Sequence, residues 1–154
     1  MGDEKFYTFS EYMRKENNPL TASMEDYLEM LYRLSFKTGF VRIHELSEAL
    51  NVQPPSATKM VQRLSELGLL NYEKYGIIIL NEDGKLLGEI LIKRHKVIES
   101  FLRMLGVPEI NILQETEKME HTMSAHTVRC LEIHVNFLSN HPDILDEYIK
   151  FKNL

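Results

Sequence analysis

Residues 41–67 have the sequence VRIHELSEALNVQPPSATKMVQRLSEL, and the class of fold can be inferred from this stretch. It contains two short helical patterns, from about His44 to Leu50 and from about Pro54 to Leu67, joined by the turn Asn51-Val52-Gln53. A short turn between two such helices is the helix-turn-helix arrangement. Pro54 and Pro55 fall in the first turn of the second helix, where proline is tolerated.

The second of these helices has one apolar and one polar face. Helical spacing predicts an inner face made of Ala57, Met60, Val61, Leu64 and Leu67. The outward positions are Ser56, Lys59, Gln62, Arg63 and Glu66. Residues 51–65 contain no acidic side chain, so we expect Lys59 and Arg63 to contact bases or phosphates of DNA. The candidate base readers are Gln53, Ser56 and Gln62.

The flanking sequence extends this unit to a winged helix-turn-helix at residues 21–81. Two strands, Leu69 to Lys74 and Tyr75 to Asn81, with Gly76 at the bend, predict the hairpin that forms the wing. A preceding amphipathic helix starts after Thr21 or Ser23 and runs to about Lys37. Residues 1–20 are expected to be an N-terminal extension with a short helix over about residues 5–18, whose apolar residues are Phe6, Phe9, Tyr12 and Met13.

The remaining sequence predicts an all-helical domain at residues 82–154, so the fold class is mainly α. A long helix runs from Asn81 or Asp83 to about Leu105, and its wide apolar stripe indicates that a second chain packs on it. Three short helices follow near residues 109–113, 115–123 and 125–139, and Pro142 opens a last helix that reaches about Phe151. We therefore expect this part to be the dimerisation domain of a homodimer.

The composition indicates a cytoplasmic protein, but the net charge counts against the DNA binding inferred above. Cys130 is the only cysteine among 154 residues, which fits a reducing cytoplasm, and its apolar neighbours predict that it is a small buried residue. No apolar run is long enough for a bilayer and the N-terminus lacks an apolar signal core, so we expect a soluble protein without a membrane partner. The net charge of −5 counts against nucleic-acid binding, although the basic residues of the second helix lie apart from the acids.

Six potential metal ligands have spacings that allow them to converge. On a helix, residues three or four apart share a face, which applies to Asp26 with Glu29 and to Glu117, Glu120 and His121. His95 lies on the long helix between these two sets. Taken alone, each set is explained by ordinary surface acids or by helix-dipole interactions. Together, four carboxylates and two imidazoles form a hard, oxygen-rich ligand set suited to Mn²⁺.

Several motifs in this order resemble the diphtheria-toxin-repressor family in its manganese-sensing branch. They cover about residues 20 to 140 and are Ser23-Met24-Glu25-Asp26-Tyr27-Leu28-Glu29, Ser56-Ala57-Thr58-Lys59-Met60-Val61, Tyr72-Glu73-Lys74-Tyr75, Arg94-His95 and Glu117-x-x-Glu120-His121. The chain departs from the family pattern in its longer N-terminus and at Gln53, Pro55 and Thr122, which leaves the operator sequence open.

The resemblance implies a winged helix-turn-helix, a helical dimerisation domain, and a divalent-metal site where the two meet. It places Asp26, Glu29 and His95 around one ion with Glu117 and Glu120 as bridges, and His121 at a second ion. The expected cofactor is therefore a pair of Mn²⁺ ions per chain, with Fe²⁺ or another divalent metal as an alternative. The expected partner is double-stranded DNA with a palindromic operator, and the expected function is metal-activated repression of metal-uptake genes.

Other function classes remain open at this point. A winged-helix regulator could sense an organic ligand, but that leaves the convergent acids unexplained. Paired carboxylate bridges also serve dinuclear metallohydrolases, yet the sequence offers no evident base or nucleophile beyond the ligands. A pure dimerisation module predicts no metal dependence at all. We expect a regulator without enzymatic activity.

Overall fold

The computed structural model describes residue 5, residues 7–15 and residues 18–153. Within these residues the chain forms eight α-helices and three short strands. The helices are α1 (Phe9–Lys15), α2 (Ala22–Ser35), α3 (Ile43–Leu50), α4 (Pro54–Glu66), α5 (Glu82–Leu105), α6 (Glu109–Glu120), α7 (Ala125–Asn140) and α8 (Pro142–Lys152). The strands are β1 (Val41–Arg42), β2 (Leu70–Glu73) and β3 (Ile77–Leu80). The expected mainly α fold is confirmed.

The helix-turn-helix unit follows its sequence pattern closely. Asn51 adopts the left-handed conformation (φ 53°) that turns the chain from α3 towards α4, and Pro54 and Pro55 occupy the first turn of α4. Of the predicted inner face of α4, Ala57, Val61 and Leu64 are buried and Met60 is partly buried. Leu67 was predicted to join this face and is exposed instead. It follows the last helical residue, just before the chain turns at Gly68 (φ 74°).

The two strands of the wing, β2 and β3, belong to a three-stranded antiparallel sheet rather than to an isolated hairpin. The strand order is β1-β3-β2, so β3 is central, and Val41 pairs with Ile78 across the β1–β3 ladder. The sequence prediction missed β1, which has only two residues. A 3₁₀ turn over Lys74–Gly76 joins the other two strands and holds Tyr75 at φ 70° with 91 % of its surface exposed. Tyr72, in contrast, packs against the core.

Helix α5 links two separate hydrophobic cores. Its Leu91 belongs to the core formed with α2, α3, α4 and the sheet, while Ile98 and Leu102 belong to a second core with Ile112 of α6. His95 lies on the same buried face of α5, between Leu91 and Ile98. The sequence therefore places a buried polar residue at the point where one core gives way to the other.

Helices α2 and α5 approach each other closely at Gly88. A Cβ atom added at Gly88 would lie 2.6 Å from the Cβ of Tyr32, which is closer than real Cβ contacts. Gly84, one turn earlier, faces the backbone carbonyl of Leu69 and has no room for a side chain either. The missing side chain at Gly88 thus allows α2 to lie close to α5, and the one at Gly84 allows the chain at Leu69 to do the same.

We expect Gly88→Ala to destabilise the protein by about 1–2 kcal/mol. Overpacking costs roughly 1–3 kcal/mol, and the better helix propensity of alanine offsets up to about 1 kcal/mol of it. Urea unfolding followed by circular dichroism measures the change. Glu89→Ala is the matched control, since Glu89 is the next residue on α5 and is exposed. An equal or higher midpoint for Gly88→Ala would contradict the close approach of the helices.

The C-terminal helices correct two sequence predictions. The two short helices expected near residues 109–113 and 115–123 are a single helix, α6, whose buried face is Ile112, Thr116 and Glu120. Cys130, expected to be buried, is exposed on α7, because α7 has no buried residue within the described chain. The histidines at positions 44, 126, 134 and 141 are exposed.

The N-terminal extension contains a shorter helix than the sequence indicated. Helix α1 covers Phe9–Lys15, whereas the prediction covered about residues 5–18. Phe6, which was expected on its apolar face, lies outside the described residues. No helix in the described part of the chain combines the length and the apolar character that crossing a bilayer requires.

Candidate functional site

The six predicted ligands converge where α2, α5 and α6 meet. They form two groups in which the potential ligand atoms all lie within 4.8 Å of one another. The first group is Asp26, Glu117, Glu120 and His121, and the second is Glu29, His95, Glu117 and Glu120. Glu117 and Glu120 belong to both groups. The site is therefore built as two adjoining ligand sets that share two carboxylates.

Glu120 connects the two groups through its two oxygens. Its Oε2 lies 2.9 Å from Nδ1 of His95, and its Oε1 lies 3.6 Å from Nε2 of His121. Glu117 Oε1 is 3.6 Å from Nδ1 of His95, and Asp26 Oδ1 is 2.7 Å from Nε2 of His121. One carboxylate thus faces both imidazoles.

These distances fit a divalent cation. Neighbouring ligand atoms of an octahedral ion with bonds of about 2.0–2.3 Å lie roughly 3 Å apart, close to the spacings observed here. Nε2 of His121 is buried and has no hydrogen-bond partner among the described residues, although an Asp26 oxygen lies close to it. A cation shared by these two atoms would be held by both of them. The donor set and its geometry therefore both fit a metal ion.

The carboxylates of the site are held in an unfavourable environment. Glu120 is 2 % exposed, and within the described residues it pairs with histidines but with no lysine or arginine. Burial, followed by repulsion from Glu120, raises the pKa of both Glu29 and Glu117. A cation at this position would remove the repulsion that these shifts reflect.

Both histidines hold their protons more tightly than usual. The hydrogen bond with Glu120 raises the pKa of His95. The carboxylates of Asp26 and then Glu25 raise the pKa of His121 to about 10. Because a metal needs the deprotonated ring nitrogens, protons and metal ions compete for the same atoms at this site.

The distribution of ligands differs from the one that the resemblance implied. Asp26 was expected with Glu29 and His95 around one ion. The structure instead places Asp26 with His121, and Glu29 with His95. The reason is helical geometry: Asp26 and Glu29 share a face of α2 but lie about one turn apart, roughly 5 Å along its axis. Each therefore reaches a different imidazole.

Two residues at the site were not predicted. Glu25 and Arg94 form a largely buried ion pair at 2.8 Å, and Glu25 Oε1 lies 3.4 Å from Nδ1 of His121. Both residues stand within the motifs quoted above, each directly before a candidate ligand. In the sequence, the only indication was that an acidic and a basic residue each stand next to a candidate ligand. The fold then brings the two charges together.

The predicted DNA contacts occupy one side of the molecule's helix-turn-helix. Gln53 and the outward α4 residues Ser56, Lys59, Gln62 and Arg63 are all exposed. Within the described chain, neither Lys59 nor Arg63 takes part in an ion pair with an acidic residue. The two cations are therefore available to an external anion, and phosphate groups of DNA are such anions.

Comparison with known families and proteins agrees with this geometry. Residues 19–78 match the N-terminal DNA binding domain of iron dependent repressors, and residues 81–148 match the metal binding and dimerisation domain of the same family. The HTH-type transcriptional regulator MntR of Lysinibacillus sphaericus (strain C3-41) is 42 % identical over 125 residues, which are 81 % of this chain and 90 % of that protein.

Solved structures show the same similarity. The structure of ScaR with bound Zn²⁺ has a TM-score of 0.63 and 34 % identity, and the match covers 74 % of this chain and 54 % of that one. The structure of the manganese regulator SloR has a TM-score of 0.66 and 30 % identity, with coverages of 74 % and 54 %. The chain thus spans about half the length of these two solved proteins.

Proposed function

Because the chain belongs to the iron-dependent repressor family, we propose that it is a metal-activated transcriptional regulator that binds double-stranded DNA as a homodimer. We propose Mn²⁺ as the physiological metal, in agreement with the relatives that are named as manganese regulators. The family and the names of these relatives are those of regulators, so neither a dinuclear metallohydrolase nor a sensor of organic ligands is favoured.

The observation that carries this proposal is the position of the two ligand groups between the two domains. Asp26 and Glu29 come from α2, which packs in the DNA-binding unit, whereas the other four residues come from the helical unit. We place the boundaries of these units at residues 21–81 and 82–154, with residues 1–20 as an extension. Because both units contribute ligands, a metal bound at the site would fix the position of one unit relative to the other.

In this proposal the six residues hold two ions, with Glu117 and Glu120 as the shared ligands. When bound, divalent cations supply the positive charge that the clustered carboxylates lack. Asp26 and Glu29 then hold α2 against α5 and α6, and α2 in turn positions α3 and α4 because they share one core. Intrinsic affinity favours Zn²⁺ or Cu²⁺ over Mn²⁺, so selection rests on the number and geometry of the oxygen ligands.

DNA recognition follows from the fixed position of α4 in each protomer. Two recognition helices held at a set distance match two half-sites about one helical turn apart, which corresponds to a palindromic operator. The residues proposed for these contacts are Gln53, Ser56, Lys59, Gln62 and Arg63. We further propose that the regulated genes serve metal uptake, that binding represses them, and that the protein acts in the cytoplasm.

Fluorescence anisotropy of a palindromic promoter fragment at constant ionic strength tests this function. We expect Mn²⁺ to tighten DNA binding about 5- to 150-fold relative to chelator, the usual range of allosteric coupling. Parallel titrations with Fe²⁺ and Zn²⁺ test the choice of metal. Equal affinity in chelator would exclude a metal switch, and an absence of DNA binding under every condition would exclude the regulator itself.

A further inference from the structure

Each imidazole of the site also faces a carboxylate on the ring edge that points away from the ligand groups. Nδ1 of His121 lies 3.4 Å from Glu25, and Nε2 of His95 lies 3.4 Å from Glu99. Neither Glu25 nor Glu99 belongs to the two ligand groups. Both rings are thus placed between a candidate metal position on one edge and a separate carboxylate on the other.

Each of these outer carboxylates is paired with an arginine of α5. Glu25 pairs with Arg94 at 2.8 Å, and Glu99 pairs with Arg103 at 2.7 Å. The two pairs differ in their surroundings. Glu99 and Arg103 are neighbours on the same helix and are partly exposed, whereas Glu25 and Arg94 are largely buried and belong to α2 and α5. Only the Glu25–Arg94 pair connects the two domains.

The buried pair is not arranged for stability alone. Burying two charges is costly, and replacing such a pair by apolar residues is often neutral or stabilising. In addition, Nε of Arg94 is buried without a hydrogen-bond partner among the described residues. Arg94 Nη2 also lies 3.4 Å from Nδ1 of His121, so the guanidinium, Glu25 and the ring form one compact cluster.

Nδ1 of His121 faces this cluster, whereas Nε2 faces the ligand group. When Nδ1 donates its proton to Glu25, Nε2 is left free to act as a metal ligand towards Asp26 and Glu120. Arg94 cannot donate to a protonated Nδ1, so its role is to neutralise and fix Glu25. The carboxylate in turn is fixed on α2, next to the ligand Asp26.

We propose that Glu25 and Arg94 are positioning residues that orient His121 for metal binding and make this orientation depend on the contact between the two domains. The proposal rests on the proposed metal site. Movement of α2 away from α5 would separate Asp26 from His121 and at the same time remove the carboxylate that orients the ring. The His121 side of the site is therefore sensitive to domain position in two ways.

A double-mutant cycle with Mn²⁺ titration by calorimetry tests the proposal. We expect Glu25→Ala to lower Mn²⁺ affinity about 10- to 100-fold, the usual effect of losing a residue that orients a metal-binding histidine. If Glu25 acts through His121, this effect disappears in a His121→Ala background and persists in a His95→Ala background. Glu99→Ala is the matched control, because Glu99 lies against His95. Its effect on Mn²⁺ affinity should disappear in the His95→Ala background and persist in the His121→Ala background.

Glu25→Gln separates positioning from a general structural role. The side-chain oxygen of glutamine still accepts a hydrogen bond from Nδ1, so this variant should recover most of the affinity that Glu25→Ala loses. An equal effect of Glu25→Ala in both histidine backgrounds, or unchanged Mn²⁺ affinity, would overturn the positioning role. If the unmodified protein itself bound no Mn²⁺, the proposed function would fail instead, so the two failures are distinguishable.

Discussion

Glu120→Ala is expected to lower the affinity for Mn²⁺ by more than about 100-fold. Loss of a residue that only orients a ligand costs about 10- to 100-fold, and Glu120 is itself a ligand candidate of both groups. Its two oxygens face different imidazoles, so the substitution removes one ligand from each group at once. The metal-dependent increase in DNA affinity should disappear with it.

Calorimetric titration with MnCl₂ and DNA-binding anisotropy measure the two effects. Glu115→Ala is the matched control, because Glu115 lies on the same helix and pairs with Lys118 rather than with the site. Glu120→Gln keeps the size of the side chain and separates loss of charge from loss of packing. A folded Glu120→Ala protein that binds Mn²⁺ like the unmodified one would rule out the proposed site.

Lys59→Ala combined with Arg63→Ala is expected to lower operator affinity at least about 100-fold at fixed salt. A lost base or phosphate contact typically costs about 1–3 kcal/mol, and a dimer loses four such side chains. Where the contacts are to phosphates, the slope of log affinity against log salt concentration should fall by about 0.9 for each. Mn²⁺ binding should be unchanged, because neither residue belongs to the ligand groups.

The control for the Lys59→Ala, Arg63→Ala double variant must also remove two positive charges. Lys96→Ala combined with Lys150→Ala removes two exposed cations from the helical domain. Anisotropy titrations at several salt concentrations then separate a local contact from an effect of overall charge. Equal losses in the two double variants would show that α4 makes no special contribution.

The fold was largely predictable where each residue satisfies a local rule. In α4, prolines at the start, an apolar face and a polar face all indicate the same helix, and the structure agrees to within one residue. The long helix α5 was equally clear, since Asn81 caps its start and Gly106 takes the left-handed conformation at its end. Local sequence is sufficient where capping, periodicity and turn residues agree.

The prediction failed where burial depends on function or on distant residues. The buried face of α6 carries Thr116 and Glu120 beside Ile112, so polar residues occupy positions where a helical pattern needs apolar ones. Strand β1 has two residues, and only its pairing with β3 makes it a strand. Cys130 has apolar neighbours in the sequence, but the sequence does not show whether another part of the same chain packs over this face of α7.

The candidate site was predictable as a set of residue types but not as an arrangement. Spacing indicated that six ligands could converge, and they do. Which ligand joins which histidine depends on the axial offset between Asp26 and Glu29 on α2 and on the angle between three helices. The pair of Glu25 and Arg94 is separated by 69 residues in the chain, so no local pattern could reveal it.

The length of chain between the two halves of the site also affects when it forms during synthesis. Glu25 and His121 are 96 residues apart, and each ligand group needs residues from α6. At about 5–20 residues per second, roughly 5–20 s pass on the ribosome between synthesis of α2 and of the last ligand. The winged helix-turn-helix is complete at residue 81, which is 40 residues before His121. For roughly 2–8 s of this interval it therefore has all of its residues while neither group is complete. The proposed metal site can therefore form only after His121 has been added, so a DNA-binding unit that is still being synthesised would not respond to metal.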